Sequence, residues 1–347
     1  MDKIIIGSIC QSTGKTSLIV GLARLLKKKI GYAKPLGDRM LYRKKRLWDY
    51  DSALITNIFG LEEIPDDISI GFDHSKLRFM YDEKSIGEKL DSILSDVGKD
   101  KDIVFIEGGK EINFGISVHL DVLSIASHTK SKLVLLSSGS ENAILDDLLF
   151  LKKRIDLSSI NFGGVILNKI PNLEEFRDNH LAALQASGLN ILGMIPFEKE
   201  LTTFSVGYLA ERLFAKVVSG EDQLHRLIEH VFIGTMHVHA AQENPLFKEE
   251  KKVVITSGDR TDMILASLDS DAACVVLTGN IYPTAKIVAA AKEKNIPLLL
   301  VPADTFQIAR QMDVMEPLLT KDDRSKIDRI ENLVRTHVKV DELLAGL

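Results

Sequence analysis

The chain has 347 residues, 45% of them hydrophobic, with 44 Lys and Arg against 49 Asp and Glu for a formal charge of −5. That length exceeds what one core usually fills, so two domains are the default, and the acidic balance argues against a general polyanion binder, leaving no nucleic acid expected as partner. Two cysteines far apart, Cys10 and Cys274, exclude a disulfide framework and fit a reducing compartment.

In chain order, strand-like apolar runs at Lys3–Ile9, Ile30–Lys34, Ile103–Glu107, Leu133–Ser137, Gly164–Asn168 and Ile191–Ile195 alternate with helical patterns. The alternation predicts an α/β fold, with a mostly parallel sheet and helices on both faces. A helix is expected over Leu201–Val218, ending at the polar Ser219-Gly220-Glu221-Asp222. A second series follows: strands at Val253–Ser257, Ala273–Thr278 and Pro297–Pro302, and helices at Asp262–Leu268, Pro283–Lys294 and Thr305–Asp313. It predicts a second small α/β domain, with Gln242–Lys252 as a loop inside it and Lys321–Leu347 as an exposed helical tail. The domains read as 1–219, 220–320 and 321–347. The chain starts directly in a strand and no apolar run reaches about 18 residues, so no membrane partner and a cytoplasmic location are expected.

Between the first strand and its helix stands Gly14-Lys15-Thr16, the setting of a phosphate-binding P-loop. In such a loop, backbone N–H groups and the helix N-terminus converge on phosphate oxygens, the lysine neutralises their charge, and the hydroxyl after it ligates Mg²⁺. Thr13, Gly14, Lys15, Thr16 and Ser17 are therefore the expected phosphate cradle. The usual G-x-x-x-x-G-K-S/T pattern would put its first glycine at Ile9. Either the loop is longer, starting from Gly7, or Ser8 makes its turn without a glycine. The fold is thus P-loop NTPase-like, and ATP with Mg²⁺ is the expected cofactor pair.

Ligand-type residues follow the other strands: Lys34-Pro35, Glu107-Gly108-Gly109, Asn168 and Pro196. In open α/β sheets these share one rim. Asp51 and Glu107 offer hard oxygens for Mg²⁺ alongside Thr16, and Asp49 is a weaker candidate. Lys34, directed by the following proline, suits an acyl or carbamate oxygen and a transferring phosphoryl group, which makes Lys15, Lys34 and Glu107 the candidate catalytic set. The plain alternatives are a surface lysine at 34, a helix cap at Asp51 and a strand end at Asn168.

Taken in order, Gly14-Lys15-Thr16, Gly31-Tyr32-Ala33-Lys34-Pro35, Asp49 and Asp51, Val104-Phe-Ile-Glu107-Gly-Gly, Gly164-Val-Ile-Leu-Asn168 and Leu192-Gly-Met-Ile-Pro196 resemble the dethiobiotin synthetase family. The series is closer still to the dethiobiotin-synthetase-like N-terminal region of long phosphate acetyltransferases. The resemblance implies ATP-dependent chemistry through a phosphorylated carbamate or carboxylate, with a small carboxylate or amine as second substrate, and an adenine contact at Asn168. Departures at Ser8, in the loop Cys10-Gln11-Ser12-Thr13, and at Leu36-Gly37-Asp38-Arg39 speak against the family's diamine substrate. The alternative is a nucleotide-sensing regulatory protein with an acetyltransferase partner.

Further along, Gly258-Asp259-Arg260-Thr261-Asp262, Leu277-Thr-Gly279-Asn280 and Ala303-Asp304-Thr305 resemble the small domain named for its Asp-Arg-Thr-Gly-Gly signature, with Asp262-Met263 replacing the two glycines. This implies a regulatory pocket with Arg260 as an anion contact, or simply a turn at Gly258 and a cap by Asp259 or Asp262. It also implies a homo-oligomer, with no acetyl transfer by these residues alone. The basic stretch Arg39–Arg46, interleaved with Tyr42 and followed by Trp48, is expected as a solvated loop, the alternative being one that recruits an anion or closes over the nucleotide. His237-Val-His239 would place two imidazoles on one strand face, without a third ligand for a metal. Cys10 reads as a filler in the P-loop.

Overall fold

The computed structural model describes residues 2–43 and 46–347, in two compact units: 1–198 with 319–347, and 199–318. Unit one is built on β1 (Asp2–Ser8), α1 (Lys15–Leu26), β2 (Ile30–Ala33), the hairpin β3 (Met40–Arg43) and β4 (Arg46–Asp49), α2 (Tyr50–Phe59), α3 (His74–Met80) and α4 (Glu83–Val97). It continues through β5 (Ile103–Glu107), α5 (Val122–Thr129), β6 (Lys132–Ser137), α6 (Glu141–Arg154), β7 (Phe162–Ile170), α7 (Leu173–Ser187) and β8 (Ile191–Pro196). The six predicted strands pair in the order β2-β5-β1-β6-β7-β8, every pairing parallel. Ile4, Ile5 and Ile6 of β1 are wholly buried, as a central strand covered on both faces requires. Parallel pairing sends the ends of all six strands to one rim.

Unit two contains β9 (Phe204–Ser205), α8 (Val206–Arg212), β10 (Lys216–Ser219), β11 (Leu227–Ile228), β12 (His230–Ile233), α9 (Val238–Glu243) and α10 (Pro245–Lys248). Then come β13 (Lys252–Ser257), α11 (Thr261–Asp269), β14 (Cys274–Thr278), α12 (Ala285–Glu293), β15 (Leu298–Leu300) and α13 (Thr305–Asp313). Its sheet runs β10-β15-β14-β13-β12, with β10 antiparallel and the rest parallel.

Three sequence expectations give way here. The helix expected over Leu201–Val218 is split. Ser205 caps α8 by accepting the Tyr208 N–H at 3.1 Å, Phe214 turns left-handed at φ 50°, and the β-branched Val217 and Val218 extend along β15. Because Val206, Leu209 and Leu213 fill the same core as Val253, Ile255 and Val276, the boundary expected at 219 falls at 198. The segment expected as the loop Gln242–Lys252 carries the end of α9, all of α10 and the first residue of β13, with Asn244 capping α10.

A further difference concerns residues 319–347, which belong to unit one through α14 (Arg324–His337) and α15 (Val340–Leu344). The tail is helical but not free. Ile327, Ile330, Leu333 and Val334 form a buried stripe at helical spacing, and Arg24 of α1 pairs with Asp328 and Glu331. Lys339 N donates to Leu192 O at 2.8 Å, and Lys132 Nζ to Ala345 O at 2.6 Å, so the tail also covers the β8 edge.

The α1–α14 contact depends on Gly21, where an added Cβ would stand 2.5 Å from Val334 Cγ2. Alanine at an exposed helix position gains about 1 kcal/mol over glycine, whereas overpacking costs about 1–3 kcal/mol. Gly21→Ala is therefore expected to lower stability in urea denaturation, and Val334→Ala combined with it to recover part of the loss. A Gly21→Ala protein as stable as wild type would show that the tail is not seated on α1.

Candidate functional site

At the P-loop, β1 ends at Ser8 and the Ile9 N–H donates to Leu136 O at 2.9 Å, holding Ile9 beside the sheet. The left-handed residues are Ser12, φ 56°, and Gly14, φ 93°. The turn therefore falls later than either sequence alternative allowed, and neither Ile9 nor Ser8 needs a glycine's conformation. Ser8, where the resembling family has glycine, uses its hydroxyl to accept from Lys15 Nζ at 3.0 Å and donates in turn to Lys110 O at 3.2 Å. Burial pulls the Lys15 ammonium below its ordinary range, opposed by Glu107 and Asp38. Thr13 is wholly buried and its Oγ1 has no partner among the described residues. Thr16 and Ser17 open the first turn of α1.

Lys34, just past β2, is 1% exposed, so it is not the surface lysine of the plain reading. Its Nζ lies 2.6 Å from Asp38 Oδ1, 2.6 Å from Asp51 Oδ2, 3.4 Å from Asp49 Oδ1 and 3.8 Å from Glu107 Oε1. Burial alone would lower its pKa, but Asp51, Glu107, Asp49 and Asp38 overcome that and hold the ammonium well above its ordinary range. Asp51 is also wholly enclosed. Desolvation would raise it, yet Lys34 and Arg39, whose Nη1 is 3.2 Å away, bring its carboxyl down to about 2.

The cap of α2 is Asp49 rather than Asp51. Asp49 Oδ1 accepts the N–H groups of Asp51 (3.0 Å) and Ser52 (3.1 Å), and Oδ2 those of Asp38 and Arg39 (3.1 Å each). Asp38, Asp49 and Asp51 lie close enough to suggest a cation site, but Lys34 already supplies the positive charge and the oxygens of Asp49 are committed to backbone.

Glu107 closes the site from the end of β5. Thr16 Oγ1 donates to its Oε1 and the Tyr32 hydroxyl to its Oε2, each at 2.9 Å. Burial raises Glu107 to about 7, with Lys34 pulling down and Asp51 pushing up. Tyr32, held far above its usual pKa by burial and by Glu107, is a permanent donor at neutral pH. Sequence reasoning missed Tyr32, Ser8 and Asp38. Strand alternation carried the signal for Tyr32, two residues before Lys34 and so on the same face of the strand.

The structure brings Lys15, Thr16, Lys34, Asp51 and Glu107 together. Asn168 Nδ2 bonds Thr13 O at 2.7 Å, so it touches the P-loop itself. Pro196 ends the edge strand β8 beside Ile170, with no hydrogen bond to the loop among the described residues. The basic stretch expected as a loop carries the hairpin β3–β4, while Lys44, Lys45 and the side chains of Tyr42, Arg43 and Arg46 lie outside the described residues. His237 caps α9 and His239 lies within it, so the two imidazoles do not share a strand face.

In unit two, Arg260 is spent on Asp262 (3.0 Å) and on the carbonyls of Thr235 and Met236, and α11 has no side-chain cap from Asp259 or Asp262. Gly258 is demanded by close approach: a Cβ there would meet Ile281 O at 1.9 Å.

A parallel sheet, a lysine-bearing loop between β1 and α1 and carboxylates gathered at the strand ends define a P-loop protein with a second, smaller α/β unit. The chain belongs to the family described as AAA domain, which matches residues 2–205, and a DRTGG domain matches residues 208–315. It is homologous to the N-terminal region of long phosphate acetyltransferases. It is 24% identical over 379 residues to phosphate acetyltransferase of Nitrosomonas europaea, covering 99% of this chain and 51% of that protein. Against the Pseudomonas putida enzyme the figures are 26% over 366 residues, 94% and 49%. The chain thus spans about half the length of the curated relatives it matches.

Among solved structures, MinD cell division protein of Aquifex aeolicus shares 16% identity at TM-score 0.35, over 58% of this chain and 84% of that one. The CBS and DRTGG domains of Clostridium perfringens pyrophosphatase, complexed with diadenosine tetraphosphate, share 23% identity at TM-score 0.30, over 36% and 53%. No helix among the described residues is long and apolar enough to cross a membrane.

Asp49 ties the β3–β4 hairpin to α2, so Asp49→Ala strands four N–H groups. A loss on the order of 3 kcal/mol is expected in denaturant titration, with Asp49→Asn milder because one oxygen remains. Equal, small effects of both would show that the cap carries no weight. The two cysteines give a second check, since Cys274 is fully buried with its thiol pushed far up by desolvation, whereas Cys10 is half-buried in the P-loop. Alkylation of native protein is expected to modify Cys10 alone. Two labels on folded protein would contradict the packing of β14.

Proposed function

We propose that unit one binds ATP with Mg²⁺ and that the chain acts as a nucleotide-sensing regulatory module, its output an acetyltransferase activity of the kind its relatives carry. The observation that carries this reading is the commitment of Lys34 to Asp38 and Asp51 at 2.6 Å each. A ligase needs that ammonium for its acyl or carbamate oxygen, and here two carboxylates engage it. Asp38 occupies the stretch where the resembling family makes substrate contacts.

The donor set fits Mg²⁺. Thr16 Oγ1 and the Glu107 carboxylate are in contact, Asp51 stands across Lys34 from Glu107, and all are hard oxygens from separate elements. Four carboxylates face Lys15, Lys34 and Arg39, so the site carries surplus negative charge, and burial, with Asp51 and Asp49 adding to it, holds Glu107 at about 7. When bound, Mg²⁺ would neutralise phosphate oxygens and that surplus. The protein's own part is to orient the phosphates with Lys15 and the loop N–H groups, and to keep Thr16 and Glu107 aligned through Tyr32.

Glu107 itself favours a second reading, an ATP-dependent ligase or synthase. A carboxyl near 7 beside a phosphate site suits proton transfer at neutral pH. Calorimetric titration with ATP and ADP, with and without Mg²⁺, is expected to show Mg²⁺-dependent binding that Lys15→Ala abolishes. ADP production should stay at background whether or not small carboxylates or amines are added. Acceptor-dependent turnover would replace sensing with ligase chemistry, and no binding at all would remove both readings. Self-association is part of the regulatory reading, and light scattering at the mass of one chain would remove that part.

A further inference from the structure

Two bonds join the P-loop to the end of β7, and the nucleotide reading makes no use of them. Asn168 Nδ2 donates to Thr13 O at 2.7 Å, and Lys169 Nζ donates to Ser12 O at 2.6 Å. A trans peptide holds its C=O and the following N–H on opposite sides. Fixing the Thr13 carbonyl toward β7 therefore turns the Gly14 N–H away from it, and fixing the Ser12 carbonyl does the same for the Thr13 N–H. Neither N–H donates to a backbone carbonyl among the described residues. They are aimed to the opposite side of the loop as a pair, the arrangement that grips phosphate oxygens.

The backbone is shaped for this contact from both ends. The β7–β8 register shifts between Leu167 and Ile170, and Lys169 takes a left-handed φ of 59°, a bulge that redirects the side chains of 168 and 169 out of the strand's alternation. On the loop, Ser12 at φ 56° and Gly14 at φ 93° present the two carbonyls, and a Cβ on Gly14 would come within 2.7 Å of Asn168 Nδ2. The other end of the Asn168 amide is also taken, since its Oδ1 accepts the Lys169 N–H at 2.9 Å.

We propose that Asn168 and Lys169 are positioning residues, a brace that orients the P-loop N–H groups toward the phosphate chain. The proposal rests on the nucleotide reading of unit one. It is tested on the full chain by titrating wild type, Asn168→Ala and Lys169→Met with ATP, GTP and tripolyphosphate, each with Mg²⁺.

Loss of one such bond is expected to weaken all three ligands by the same factor, about tenfold. A loss confined to ATP would make Asn168 a base contact and overturn the brace, as would no loss in either variant. Amide hydrogen exchange separates this from a failure of the nucleotide reading. Amides over 10–15 should exchange faster in Asn168→Ala while those of β1 keep their protection. Wild type binding none of the three ligands would remove the nucleotide reading, and unchanged exchange in the loop would remove the brace. Should Asn168→Ala fail to fold, by circular dichroism, Lys169→Met carries both measurements.

Discussion

The Lys34 ammonium, almost wholly out of solvent, is the charge around which unit one is arranged. An unpaired buried ammonium would cost several kcal/mol, so it persists only because carboxylates arrive from three directions. Asp38 comes from the turn after β2, Asp49 and Asp51 from the start of α2, and Glu107 from β5. Each is fixed by something other than Lys34. Asp49 caps α2 and thereby sets the rotation of Asp51, while its second oxygen pins the backbone of 38 and 39. Thr16 and Tyr32 hold the two oxygens of Glu107. The helix cap, the hairpin and the P-loop helix are thus joined through one charge.

That joining bears on function. Burial raises the Glu107 carboxyl, with Lys34 pulling it down and the neighbouring Asp51 and Asp49 pushing it up. The same carboxylates keep Lys34 engaged, and an engaged lysine is a poor partner for an incoming acyl group. The proposed sensing role rests on this engagement of Lys34 by Asp38 and Asp51. Two residues among the departures from the resembling family, Ser8 and Asp38, each take up a lysine, Ser8 engaging Lys15 and Asp38 engaging Lys34.

The sheet of unit one was legible in the sequence because its strands are buried on both faces and read as continuous apolar runs between helical patterns. All six appear within two residues of their expected ends, in one parallel sheet. The segment from Leu201 to Val218 misled because Val206, Leu209 and Leu213 keep a helical spacing up to the turn at Phe214, while the strand after it is short and pairs with the distant β15. The tail was legible as a helix and not as a buried one. Its apolar stripe is flanked by charges, and the surfaces the tail covers, α1 some 300 residues earlier and the β8 edge, are distant in the chain.

The sequence by itself determined the kind of site: a lysine and threonine after the first expected strand, a lysine at the end of the second and a glutamate at the end of the third can meet only on the carboxyl rim of a parallel sheet. Tertiary structure decided what each does. Whether an aspartate caps a helix or faces an ammonium, as Asp49 and Asp51 divide the work, turns on one residue of register at a helix start. Whether Asn168 faces a base or the P-loop turns on a bulge in β7 and the left-handed turn at Gly14. The last is a relation between residues 155 apart in the chain, set by packing and hydrogen bonds that no local pattern of residue types encodes.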